Sequence, residues 1–268
     1  MYYRIGIILV SLYLALLCGC GHKINKQALS ADEYFEFAKQ KFDNEDYLEA
    51  ITEFTVITLK FSADPVVDDA QYYLAESHFE IEEYLVAISE YEKLINDYPQ
   101  SPYGELAQFK IGMCYYDLSP RSELDQEYTR KALRQFNNFV EENPNHELTK
   151  NAQKFVKELR QKLAKKKMLG ARTYRKMGIY DSAVIYYNIV LEEYGDLPQA
   201  KDAMYWKGEC LYKMKKYKEA FSTLTVYIEK YPNHHNIADA KNRLAEISEK
   251  LDEPPPNAQT NLNGQDDI

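Results

Sequence analysis

"NEDYLEAITEF", Asn44 to Phe54, decides the fold because the chain repeats it. It recurs as "IEEYLVAISEY" (Ile81 to Tyr91), "MGIYDSAVIYY" (Met177 to Tyr187) and "MKKYKEAFSTL" (Met214 to Leu224), with a weaker copy, "QEYTRKALRQF", at Gln126 to Phe136. Such self-similarity marks stacked supersecondary units, none of which can bury its apolar face alone. The central alanines Ala50, Ala87, Ala132, Ala183 and Ala220 each follow a small residue, in order Ala38, Ala75, Gly112, Ala171 and Gly208; the separation is twelve residues in four cases and twenty in the third. Twelve residues hold the end of one helix, a tight turn and the start of a second. Small side chains are needed at both points because the two antiparallel helices cross most closely there, and added methylenes in such a contact cost about 1–3 kcal/mol. The pattern predicts an all-α solenoid of five helix-turn-helix repeats, and no strand signal competes with it.

From residue 31 to about residue 235 these positions resemble tetratricopeptide repeats. The aromatic ahead of the second helix is met by Tyr47, Tyr84, Tyr180 and Tyr217. The large residue later in that helix is met by Phe54, Tyr91, Phe136, Tyr187 and, in the last repeat, Leu224. Pro99, Pro144 and Pro232 end the second helix in three repeats. The first and fourth depart, with Ser62 and with Glu193 to Leu197 ahead of Pro198. A further helix from about Asn236 to Leu251 caps the open end, and "DEPPPNAQTNLNGQDDI" from Asp252 is too polar and proline-rich to fold.

The amino terminus has a different character. Arg4 precedes an apolar run from Ile5 to Leu17 that ends in "LLCGCG", Leu16 to Gly21. Such a run rises only about 20 Å as a helix against about 30 Å of hydrocarbon, so it reads as an export signal and not a span. Leu17-Cys18-Gly19-Cys20 resembles the lipobox of bacterial lipoproteins, in which the cysteine after the small residue is lipidated. Gly19 suits the cut, so Cys20 is expected to carry the lipid while Cys18 leaves with the signal. By resemblance to Gram-negative sorting, Gly21 after the cysteine implies the outer membrane. Several acyl chains hold a protein on a bilayer far better than one.

Composition narrows what hangs from that anchor. The chain carries a formal charge of −9, and loss of residues 1–19 removes Arg4 alone among its charged residues. An acidic surface argues against nucleic acid as ligand. Cys114 and Cys210 fall on corresponding repeat positions and read as small buried fillers. Catalysis finds no support: there is no Gly-rich phosphate loop, nucleophile elbow or Cys-x-x-Cys. His22, His78 and His146 are scattered, and the adjacent pair His234-His235 lacks further ligands nearby in sequence, so it reads as a solvated turn. No cofactor, metal or enzymatic role is expected.

Two irregularities give the array an identity. Eight extra residues including "SPRSELDQ", Ser119 to Gln126, lengthen the turn of repeat three, and Glu147 to Met177 reads as one helix of about 30 residues, or about 45 Å, joining two rigid halves. A lipobox, a short tether, five repeats, the long third loop and the "KLAKKKMLGARTYRKMGIYDSAV" junction, Lys162 to Val184, together resemble the BamD family, lipoproteins of the outer-membrane β-barrel assembly machine. Family members often carry an Arg-Asp pair before the second helix of repeat three, where Leu124-Asp125-Gln126 here supplies only the acidic half. The expected organisation is signal peptide 1–19, lipidated tether 20–30, repeats one to three 31–146, repeats four and five with the cap 147–251, and tail 252–268.

Binding remains as the function. In such arrays the first helix of each pair lines the concave face. One position there carries Phe35, Tyr72, Phe109, Met168 and Tyr205, and another carries Phe42, Phe79, Tyr116, Arg175 and Tyr212. Phe35, Phe42, Tyr72, Phe79, Phe109 and Tyr116 form a candidate aromatic ladder for an extended peptide, with the core expected to be filled already by Tyr34, Phe54, Tyr73, Tyr91 and Phe136. Asp32, Asp69, Glu76 and Glu80 make the early groove acidic, whereas Lys165, Arg172, Arg175 and Lys176 make repeat four a basic candidate for partner docking. The resemblance implies the barrel-forming assembly subunit and unfolded β-barrel precursors as partners, on the periplasmic side of the outer membrane. A second reading stays open, a repeat lipoprotein serving peptidoglycan or cell-division partners in the manner of CpoB-like proteins.

Overall fold

The computed structural model describes residues 26–252; Cys20, the signal segment and the tail lie outside them. A short 3-10 turn, Lys26–Ala28, precedes eleven helices: α1 (Ala31–Asp43), α2 (Tyr47–Lys60), α3 (Val67–Glu80), α4 (Tyr84–Asp97), α5 (Gly104–Asp117), α6 (Glu127–Glu142), α7 (Thr149–Lys176), α8 (Tyr180–Glu193), α9 (Gln199–Lys213), α10 (Tyr217–Lys230) and α11 (Ile237–Asp252). No strand occurs among the described residues. The fold is the all-α repeat array that the sequence predicts, and the final helix begins within a residue of its expected start.

The first helix is opened by a capping box. Ser30 Oγ accepts from the Glu33 backbone N–H at 3.3 Å, and the Glu33 carboxylate accepts from Ser30 N–H at 2.9 Å. Within repeats one, four and five the two helices meet through the same turn. Asp46, Ile179 and Lys216 donate their backbone N–H five residues back, to Lys41, Tyr174 and Leu211, at 2.9, 3.0 and 3.0 Å. This geometry places the preceding residue in the left-handed region, at Glu45 (φ 64°), Gly178 (φ 78°) and Lys215 (φ 60°). Only repeat four meets that demand with glycine.

The small residues behave as the pattern requires. Ala38, Ala50, Ala75, Ala87, Ala132, Ala171, Ala183 and Ala220 are all fully buried. A Cβ on Gly112 would stand 2.7 Å from the Phe136 ring, and one on Gly208 would stand 2.5 Å from Leu224 Cδ2. Phe54, Tyr91, Phe136, Tyr187 and Leu224 are equally buried, as are Cys114 and Cys210, neither of them in a disulfide.

By its internal contacts the chain divides into two compact units, one running to Ile81 and the other beginning at Glu82. In the first unit α2 packs against both α1 and α3. Tyr34 Oη donates to Glu53 Oε2 at 2.8 Å, and Lys26 pairs with the same carboxylate. In the second unit α7, 28 residues long, packs against α6, α8 and α9. It is not a bare connector: Leu159, Leu163, Ala164 and Ala171 are buried along its length, so it belongs to the core from both sides.

Candidate functional site

Three of the four basic residues expected to dock a partner converge. Lys165, Arg172 and Arg175 recur on α7 at seven and then three residues, which holds them near one helix face, and all three line a cleft of about 580 Å³. Lys176 is exposed but does not line it. Helix α8 contributes Tyr187, α9 contributes Asp202 and Trp206, and the long loop of repeat three contributes Ser122 and Glu123.

Electrostatics in the cleft centre on Arg175. Its guanidinium carbon lies 3.7 Å from the centroid of Trp206, a cation–π stack that holds the charge without cancelling it. Arg175 Nε is buried with no acceptor among the described residues. Burial pushes the Tyr187 phenol up to about 12, and the neighbouring Arg175 pulls it the other way.

The inserted loop is fixed to α7 and not loose above it. Lys162 Nζ donates to Ser119 Oγ at 2.8 Å and to the Ser119 carbonyl at 3.3 Å, and Lys166 Nζ donates to the Glu123 carbonyl at 2.7 Å. Burial lowers the Lys162 ammonium from its ordinary value. Gln126, itself buried, donates through Nε2 to the carbonyls of Arg121, Leu124 and Asp125 and so closes the loop on itself.

The aromatic ladder is largely folded into the helix packing. In the first unit the Phe35 ring lies 5.9 Å from Phe54 and 5.8 Å from Tyr73, and Phe42 lies 5.4 Å from Tyr47 and 5.3 Å from Tyr73. Tyr72 is buried and Phe79 half-buried. In the second unit Phe109 is buried among Phe136, Phe139 and Phe155, while half-buried Tyr116 packs 4.8 Å from Phe155 and donates through its hydroxyl to Glu158 at 2.9 Å. Phe54 and Phe136 fill the core as expected, but each shares its cluster with ladder residues, and Tyr73 packs with Phe35 and Phe42 in the first of these clusters. Of the acidic residues expected beside the ladder, Asp32 and Glu80 are exposed, Asp69 is half-buried and Glu76 is buried.

Next to the basic cleft stands a group the sequence did not bring together. Asp202 on α9 and the pair His234-His235 in the turn before α11 place one ligand-type atom each within 4.8 Å of one another. His234 Nε2 is 3.7 Å from Asp202 Oδ1, and its Nδ1 is 2.6 Å from the hydroxyl of buried Tyr227. Burial lowers the His234 imidazole from its ordinary value. Sequence reasoning also missed Trp206 and Tyr187 as cleft residues. The available signal was that Trp206 is the one tryptophan of the chain and sits in the first helix of the repeat after Arg175.

The chain belongs to the YfiO family of outer membrane lipoproteins, which it matches over residues 27–216; this is the family of BamD to which its repeats and junction pointed. A tetratricopeptide-repeat family also matches residues 202–234. No curated protein matches. Among solved structures the chain is similar to the TPR2AB-domain:pHSP90 complex of yeast Sti1, at 18% identity and a TM-score of 0.43 over 82% of this chain and 84% of that one. It is also similar to a tetratricopeptide-repeat protein of Bacteroides fragilis, at 11% identity and a TM-score of 0.44 over 82% and 99% of the two chains. It is an outer-membrane lipoprotein built of repeats that serve protein–protein contact. Among the described residues no helix is long and apolar enough to cross a membrane.

Proposed function

We propose that this chain is a lipid-anchored, periplasm-facing adaptor of the outer-membrane β-barrel assembly complex, with no catalytic step of its own. Lipid on Cys20 holds it at the membrane. The basic cleft of Lys165, Arg172 and Arg175 docks the barrel-forming assembly subunit through an acidic segment of that partner, with Lys176 adding charge outside the cleft. The half-buried rings of Phe35, Phe42 and Phe79 in the first unit receive aromatic-ended segments of unfolded barrel precursors, and Tyr116 offers a separate ring in the second. Tyr72 and Phe109 are each buried in the packing of their own unit. Aromatic contacts worth about 0.5–1.5 kcal/mol each beyond area burial suit a transient hand-over.

The observation that carries this reading is the convergence of three cations on one cleft, with Arg175 stacked on Trp206 and its Nε buried without an acceptor among the described residues. A carboxylate arriving in the cleft meets guanidinium and ammonium donors, whose charge-assisted hydrogen bonds are about twice as strong as neutral ones. Lys165 and Arg172 are exposed, so reversing both to Glu leaves the core untouched. Co-purification from detergent-solubilised outer membranes tests the reading. The barrel-forming subunit is expected with the parent chain and lost, or made strongly salt-sensitive, with Lys165→Glu/Arg172→Glu. Recovery of peptidoglycan or cell-division proteins in its place supports the CpoB-like reading and overturns this one.

A further inference from the structure

We propose that Asp202, His234 and His235 form a binding site for one divalent transition-metal ion of the zinc class, independently of any docking role of the cleft. His234 Nε2 and Asp202 Oδ1 are 3.7 Å apart, too far for a hydrogen bond. Two ligands bound to one zinc ion at about 2.0–2.2 Å in tetrahedral geometry stand roughly 3.3–3.6 Å apart, so the observed gap is close to a ligand–ligand separation. All three candidate ligand atoms already lie within 4.8 Å of one another. Asp202 is partly exposed and His235 exposed, so rotation of these two side chains closes the rest.

The other ring nitrogen of His234 supplies the second argument. A metal-ligating histidine almost always has its remote nitrogen tied to a hydrogen-bonding group, which fixes the tautomer and the ring plane. His234 Nδ1 stands 2.6 Å from the Tyr227 hydroxyl, and Tyr227 is fully buried. The ring is thereby anchored with Nε2 directed at the carboxylate.

Two imidazoles and a carboxylate favour zinc, copper, nickel or iron over magnesium or calcium, which prefer all-oxygen shells. Three protein ligands leave a fourth position open. Lys201 lines the same depression as His234, and its ammonium opposes a cation, which keeps the affinity moderate. Asp202 and His235 also line the basic cleft, so a bound ion would add to the positive charge there.

The test is zinc titration of the full chain in detergent, without a histidine tag, by isothermal calorimetry alongside thermal melting. The expected result is one saturable zinc per chain and a rise in melting temperature with zinc. Affinity should fall by about tenfold or more in Asp202→Asn and in His235→Ala, and by about tenfold in Tyr227→Phe, the positioning residue. Asp202 and His235 sit on separate elements at the surface, so one of the two variants remains informative if the other folds poorly. Absence of saturable binding, or an affinity unchanged from the parent chain in Asp202→Asn and His235→Ala, overturns the proposal and returns the cluster to a solvated turn.

Discussion

The guanidinium carbon of Arg175 stands 3.7 Å from the centroid of the Trp206 ring, and no carboxylate among the described residues pairs with it. Two other arginines of the same unit are neutralised. Arg160 holds Asp196 through two bonds of 2.7 Å, and Arg243 holds Glu209 at 2.8 and 3.0 Å. The contrast separates two jobs for one residue type. Arg160 and Arg243 spend their charge inside the fold, whereas Arg175 is held in place by a ring, the arrangement on which the proposed docking role rests.

Replacing Trp206 by Leu should therefore weaken docking without reversing any charge. A cation–π contact is worth about 0.5–2 kcal/mol depending on desolvation, so the dissociation constant for the barrel-forming subunit should rise by roughly 2- to 30-fold. Surface-immobilised binding measurements check this, with circular dichroism confirming that helix content is unchanged.

Glycines at the helix crossings should be far less tolerant than a glycine at a helix start. Gly112→Ala puts a Cβ 2.7 Å from the buried Phe136 ring and should cost about 1–3 kcal/mol. Gly104→Ala, at the first position of α5 with nothing within 4 Å of its Cβ, should be neutral or stabilising by up to about 1 kcal/mol. Urea denaturation of the two variants decides it, and equal losses would contradict the crossing argument.

The shared turn makes an opposite pair of predictions. Lys215 occupies the left-handed region with a side chain, at φ 60°, so Lys215→Gly should stabilise by up to about 1 kcal/mol. Gly178, at φ 78° with open space about its Cβ, should lose about 1–2 kcal/mol on replacement by Ala, from backbone strain alone. Thermal melting distinguishes the two signs.

Most of the repeat architecture was legible because it rests on small residues at fixed spacing. Ala38 with Ala50 and Ala171 with Ala183 mark crossings that the helices obey, and the long α7 falls two residues inside its expected start and one inside its expected end. What was not legible depends on where a side chain goes after its helix is placed. Phe35 and Phe109 occupy first-helix positions suited to a groove, yet their rings turn into the clusters of Phe54 and Phe136, since an aromatic ring gains more from burial than from exposure. Asp202 lies far from His234 in sequence and meets it only because the turn after α10 returns the chain to α9. Nor does sequence spacing reveal that Lys162 and Lys166 reach back to the loop of repeat three.

Acid should weaken the second unit through the Arg160–Asp196 pair. Arg160 holds the Asp196 carboxyl below its ordinary value. A carboxylate with a depressed folded value contributes stability above its unfolded value and loses it as the pH falls through the folded one. Asp196→Asn should thus lower the melting temperature at about pH 7 and make little difference near pH 2, where the parent carboxylate is protonated too. A difference that persists in acid would assign the loss to packing.

The central claim, that the cleft of α7 is where the barrel-forming subunit docks, is tested most directly by photocrosslinking in intact cells. A photoreactive residue is placed at Arg172, and in a separate strain at exposed Lys218 on α10, which does not line the cleft. The account predicts a covalent adduct with the barrel-forming subunit from position 172 and none from position 218. An adduct from 218 alone, or adducts from 172 that contain only other envelope proteins, would contradict it.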